Sequence, residues 1–129
     1  MNKILVEVSV GELLDKISIL EIKKDQIKDP EKLKFIDNEY SLLKEQLEKS
    51  VINDKKINEL FTSLKEINFK LWFIEDNKRK CEKNSDFGKE FIEISRSVHF
   101  NNDERAKIKL EINNLTGSKI KEIKEYTSY

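Results

Sequence analysis

Apolar residues recur along this chain at intervals of three and four, with charged residues between them. That spacing matches an α-helix, whose one face returns about every 3.6 residues. Only the opening departs from it. In "KILVEVSV", Ile4, Val6 and Val8 alternate and β-branched types dominate, which predicts a short strand. "SVGE" follows in the form of a capping box, with Ser9 as N-cap and Glu12 three residues on. A first helix is expected from Val10, with Val10, Leu13, Ile17, Leu20 and Ile27 on one stripe and Lys24 breaking it. "DPEK" then punctuates, Asp29 as cap and Pro30 in the first turn, where its missing N–H costs nothing. A second helix carries Leu33, Ile36, Tyr40, Leu43 and Leu47 and ends near Ser50.

Asn53 or Asp54 is expected to cap a third helix. Ile57, Leu60, Leu64, Ile67, Leu71, Ile74, Lys78 and Cys81 form its seam over about four heptads, a repeat that favours coiled-coil-like packing. From 54 to 83 it would be ~45 Å long. Trp72 and Phe73 flank the seam, so this helix should touch more than one neighbour. "NSDFG" is the clearest break. After it, Phe91, Ile94, Ser95 and Val98 predict a short fourth helix. "NND" interrupts, and Asn102 or Asp103 is expected to cap a fifth helix carrying Ile108, Ile112 and Leu115 and closed by Gly117. The tail "SKIKEIKEYTSY" either pairs with the N-terminal strand or frays. The predicted fold is all-α: one domain over residues 1–129, an antiparallel helical bundle with long coiled-coil-like helices. A minimal β-ribbon would join the N- and C-termini if the tail pairs.

Composition narrows the function. One domain suits 129 residues. No apolar run approaches the roughly 20 residues of a spanning helix, so no membrane insertion is expected. The 25 basic and 25 acidic residues balance without long single-sign runs, which argues against a nucleic-acid partner. A lone cysteine, Cys81, suits a reducing compartment. "MNKILVEV" has too short an apolar core for a secretory signal, so the expected location is the cytoplasm. Only three of the basic residues are arginines, Arg79, Arg96 and Arg105, and guanidinium makes planar bidentate contacts that ammonium cannot.

The sequence has no Gly-rich phosphate loop, His pair, Cys pair or Glu-x-x-His motif, which removes most metal and hydrolase classes. Three constellations remain. Glu75, Arg79 and Glu82 share one helix face with Trp72 at its start, either a polar ligand site against an aromatic wall or an ordinary helix pair. Arg96 and His99 lie one turn apart, and Asn102, Arg105 and Lys109 share a face where the fifth helix should begin. A helix N-terminus there would favour a phosphate or carboxylate, whereas the plain alternative is a corner with two capping residues. Glu12 and Asp15 have the spacing by which helical nucleotide pyrophosphohydrolases hold Mg²⁺, although capping already explains both and no second carboxylate pair is so spaced.

"VSVGELLDKISILEIK", "LWFIED", "DFGKEFIEISRSV", "NDERAKIKLEIN" and a late "GS" together resemble a family of small bacterial proteins that carries only a domain-of-unknown-function label. The resemblance spans nearly the whole chain. It implies a setting beside glycosyltransferases and surface-polysaccharide genes, and no particular activity. The matching polar residues are Glu12, Asp15, Lys16, Glu75, Asp76, Arg79, Arg96, Asn102, Asp103, Arg105 and Lys109. Where the family usually has an aromatic, this chain has His99, which argues against a catalytic role for it. The chorismate mutase fold is set aside because the first helix lacks the arginine that fold needs.

Two function classes follow. The first is a non-catalytic accessory or interaction protein, self-associating or bound to a protein partner, with no cofactor, in polysaccharide assembly. The second binds or processes a phosphorylated small molecule, a nucleotide or nucleotide-sugar, with Mg²⁺ as an optional cofactor. Arg96, Asn102, Arg105 and Lys109 would hold the anion, Glu75, Arg79 and Trp72 would complete the pocket, and Glu12 and Asp15 would hold the metal.

Overall fold

The computed structural model describes residues 2–50 and 53–129. Four helices follow one another: α1 Val10–Gln26, α2 Pro30–Ser50, α3 Lys55–Lys83 and α4 Lys89–Thr116. Among the described residues there is no strand, so the chain is all-α. The strand at Ile4–Val8 and the β-ribbon are not formed. Residues 2–8 have no regular secondary structure, and no main-chain hydrogen bond ties them to another described residue. An alternating run needs a neighbouring strand for its N–H and C=O groups, and the tail does not supply one.

The start and stop signals act where the sequence places them. Ser9 Oγ accepts from Glu12 N at 3.1 Å, Asp29 Oδ1 from Glu31 N at 3.0 Å, and Asp54 Oδ1 from Lys56 N at 2.7 Å. Gly117 adopts the left-handed conformation, φ 66°, and ends α4. The capping box is only half made, because the Glu12 carboxylate turns to Lys109 instead of Ser9.

"NND" does not interrupt. The expected fourth and fifth helices are one helix, α4, and Asn102 and Asp103 sit inside it and not at a cap. Asn and Asp carry only a weak helix penalty, a few tenths of a kcal/mol relative to good formers, and tertiary contacts override it. Here Arg105 and Lys109 tie the following turns to α1. Asn101 donates to the Ser97 carbonyl at 2.8 Å, so its side chain bonds within the helix instead of opening it.

Helix α1 is central. It packs against the other three, whereas α2 approaches α1 alone and α3 and α4 pair with each other. Lys56, early in α3, stands 3.8 Å from Glu111, late in α4, so these two helices run in opposite directions. Gly11, Glu12 and Asp15 meet Asn113, Lys109 and Arg105 in turn, so α1 also runs opposite to α4. The core cluster of Leu14, Ile57, Leu60, Leu64 and Ile112 lies at this end of the α3–α4 pair. The seam is less well covered toward the other end. Leu71 and Ile74 are half-buried, and Cys81 is the one buried α3 residue beyond Asn68.

Gly11 sets how closely α1 approaches α4. A Cβ there would stand 2.6 Å from the Lys109 carbonyl oxygen and 2.9 Å from Asn113 Oδ1. The first obstacle is backbone and cannot swing aside. Gly11→Ala is therefore expected to force the helices apart and cost about 1–3 kcal/mol, as overpacking does. The measurement is the urea midpoint at unchanged m value, and wild-type stability would show that α1 is free to shift.

Candidate functional site

Polar side chains from α1, α3 and α4 meet where the first turns of α1 cross α4. Asp15 is 1% exposed. Its Oδ1 accepts from Arg105 Nε at 2.9 Å and from Asn68 Nδ2 at 2.8 Å, and its Oδ2 accepts from Arg105 Nη2. The guanidinium thus grips the carboxylate with two parallel bonds, the geometry lysine cannot make. Asn68 also donates to Ser18 Oγ at 2.7 Å, and that hydroxyl donates to the Asp15 carbonyl at 2.7 Å. One turn along α4, the buried Lys109 ammonium bonds Glu12 Oε2 at 2.8 Å and Glu122 Oε2 at 2.7 Å. A further turn on, Asn113 Oδ1 accepts from Gly11 N at 2.7 Å. Residues 105, 109 and 113 repeat every four and so line one face of α4.

Glu122 comes from the tail. Past Gly117 the chain doubles back along α4: Lys121 reaches Asn114, Glu122 reaches Lys109, and the Tyr129 hydroxyl donates to Asp103. The Tyr129 ring meets His99 and Phe100 edge to face.

The electrostatics follow from these contacts. Burial pushes the Asp15 carboxyl up. Hydrogen bonds from Arg105 and Asn68 outweigh that, together with the charges of Arg105 and Lys109, and hold it below the ordinary Asp value. Burial likewise opposes the charge on Lys109, but Glu12 and Glu122 overcome it and raise the ammonium. The Lys109 bond holds Glu122 below its usual value. Each charge in the cluster thus faces an opposite charge inside it.

Of the residues singled out from sequence, Glu12, Asp15, Arg105 and Lys109 come together here. The others do not join them. Arg79 Nε bonds Glu75 Oε1 at 3.0 Å as an exposed pair on α3. Trp72 is half-buried on the same helix, and Asn102 is half-buried within α4. Arg96 is exposed, with no carboxylate in ion-pair range among the described residues. The expected helix N-terminus at Asn102 does not exist, so the main-chain donors it would have offered an anion are absent. A Mg²⁺ ion at Glu12 and Asp15 would have to displace an ammonium and a guanidinium already bonded there.

Sequence reasoning missed Gly11, Ser18, Asn68, Asn113 and Glu122 as members of the cluster. Gly11 carried a signal, since glycine inside a helix costs roughly 1 kcal/mol and often marks a close approach. Asn68 sat beside the seam as a polar residue among apolar ones. Glu122 had no local signal, because only the reversal at Gly117 brings it to Lys109.

A second cluster sits at the α3–α4 corner, where Cys81 Sγ and carboxylate oxygens of Asp86 and Glu90 lie within 4.8 Å of one another. Burial and the two carboxylates push the thiol up, as expected for a thiolate beside negative charge. No helix among the described residues is long and apolar enough to cross a membrane.

These features define a helical bundle whose polar centre links three helices. Residues 4–129 match the model of a family described as a family of unknown function, DUF6165, and the chain belongs to that family. No curated protein and no solved structure matches it.

Arg105→Ala would leave Asp15 buried and uncompensated. The expected loss is about 3 kcal/mol, the lower end for breaking a buried pair because Arg105 keeps some solvent contact. Arg79→Ala, at an exposed pair, should cost no more than a few tenths. Equal effects in chemical unfolding would contradict this ranking.

The lowered Asp15 pKa also fixes a pH dependence. Its contribution is complete above the unfolded-state value near 4. It is lost as pH falls through the lower folded-state value. Urea midpoints should therefore decline below about pH 4, and Asp15→Asn should be less stable at pH 7 yet decline less steeply in acid. A parallel decline in both proteins would remove Asp15 from the acid response.

Proposed function

We propose that this chain is a non-catalytic accessory or interaction protein that self-associates. One observation carries the reading: large apolar side chains remain outside the core along much of the chain. Ile4, Leu5 and Val6 in the N-terminal segment are exposed, as are Phe35 and Leu42 on α2, Phe69 and Phe73 on α3, Phe87 in the turn after it and Ile92 on α4. Scattered exposed apolar residues are ordinary, but so many aromatic and aliphatic ones point to surfaces that a partner covers.

The polar cluster supports the same reading by being closed. Its carboxylates and cations are bonded to one another, so a substrate would find neither a free base nor a free anion clamp. The nucleotide or nucleotide-sugar reading needs the arginines to converge on a ligand, whereas Arg105 is held by Asp15 and Arg79 by Glu75. A setting in cell-surface polysaccharide assembly, in the cytoplasm, belongs to this proposal and rests on the resemblance of the sequence motifs and on the single buried Cys81.

Sedimentation equilibrium at micromolar concentration is expected to give at least twice the 15.3 kDa chain mass. Thermal unfolding against nucleotides, nucleotide-sugars and sugar phosphates, with and without Mg²⁺, should be flat. A true ligand at 100 times its dissociation constant would add about 2.7 kcal/mol, a shift of several degrees. Such a shift in a monomeric protein would replace this reading with the small-molecule one.

A further inference from the structure

The far half of the α3–α4 pair is built as core and left uncovered. The sequence continues its apolar seam through Leu71, Ile74 and Cys81, yet Leu71 and Ile74 are only half-buried. Facing them on α4, Phe91, Ile94 and Val98 are half-buried too, and no α4 residue before Lys109 is fully buried. Phe69 and Phe73 stack edge to face on α3 with 42% exposure each, and Ile92 on α4 is 53% exposed. The reason is the course of α1: Asp15 and Ser18 meet Asn68, but Glu21, farther along α1, meets Lys65, nearer the start of α3, so α1 crosses α3 and does not follow it toward the far half. Helix α2 does not fill the gap, because it packs on α1 alone.

Two antiparallel helices cannot enclose an apolar seam, whereas four can. We propose that a second copy of this chain covers the far half of the pair. The α3–α4 segments around residues 69–100 of two copies then pack as a four-helix arrangement along the heptad seam. The inference rests on the self-association reading and names its surface.

Two further observations favour a second copy as the occupant. The chain exposes 9,715 Å². A compact monomer of this mass would expose about 7,100 Å². The excess, about 2,600 Å² by difference, is partly in the terminal segments, but a third of it would supply one side of a standard interface, roughly 800 Å² per partner. Charge permits the pairing as well. Residues 69–100 contain seven basic and six acidic side chains, so two copies of this surface do not repel.

The test uses the full chain and its single tryptophan, Trp72, which lies within the proposed interface. Sedimentation equilibrium gives the dimer dissociation constant, and Trp72 emission is followed on dilution. The wild type should dimerise, with emission moving to longer wavelength as the dimer dissociates. Phe73→Glu and Ile92→Glu change side chains already exposed in one copy, so helicity by circular dichroism should persist while the dissociation constant rises at least 100-fold. Phe35→Glu, on the outer face of α2, should leave it within threefold. A wild type that is monomeric throughout would overturn both this proposal and the self-association reading. A dimer that survives Phe73→Glu and Ile92→Glu but is lost on Phe35→Glu or on deletion of residues 1–8 would overturn this proposal alone.

Discussion

The bidentate grip of Arg105 on Asp15 is the constraint on which the rest of this structure depends. A carboxylate 1% exposed cannot stay ionised without partners, and its partners come from α3 and α4 while it belongs to α1. Three helices are therefore fixed at one point in rotation and in height. A purely apolar contact among them would tolerate a slide of one turn with modest loss. This contact would not, because a slide leaves a buried charge without its counter-charge. Buried ion pairs contribute little net stability relative to well-packed apolar residues, so the best account of this one is that it sets register.

The neighbouring features follow from that register. Holding Asp15 to Arg105 brings the first turn of α1 onto Lys109 and Asn113, and only glycine at position 11 leaves room. Lys109 is then buried with Glu12 on one side and needs a second acceptor, which Glu122 provides once Gly117 has turned the chain. The tail has no regular structure of its own, so its course along α4 is drawn by side chains, at Asn114, Lys109 and Asp103. The continuity of α4 through "NND" belongs to the same chain of causes, since the turns that follow are anchored to α1 from outside the helix.

Periodicity made the helices legible, and capping residues made most of their ends legible: Ser9, Asp29, Asp54 and Gly117 all act as read. Local signals misled where distant contacts decide. Asn102 and Asp103 are good caps in isolation, and an alternating Ile4, Val6, Val8 run is a good strand, but a cap needs a helix that begins there and a strand needs a neighbour. The site was half legible. Glu12, Asp15, Arg105 and Lys109 stood out as charged residues on shared helix faces. Their purpose did not, because one-dimensional spacing shows that a carboxylate could meet an ion and not that an arginine ninety positions away already meets it. Asn68 and Glu122 needed the three-dimensional path.

The same constraint explains why so much apolar surface is left over. Among the described residues the buried set includes Asp15, Ser18, Asn68, Lys109 and Asn113 beside a short list of aliphatic side chains. Space near α1 that could have held leucines holds a polar network, whose net contribution is small once desolvation is counted. A domain of this size is stable by a narrow margin set mainly by buried apolar area. Exposed apolar residues lie on the far half of the α3–α4 pair, which α1 does not cover, and also on α2, late in α4, on the N-terminal segment and on the tail. If a second copy docks on that surface as proposed, register and association are one design: the polar centre fixes how α3 and α4 are presented, and a rigidly presented surface loses less freedom when a partner docks on it.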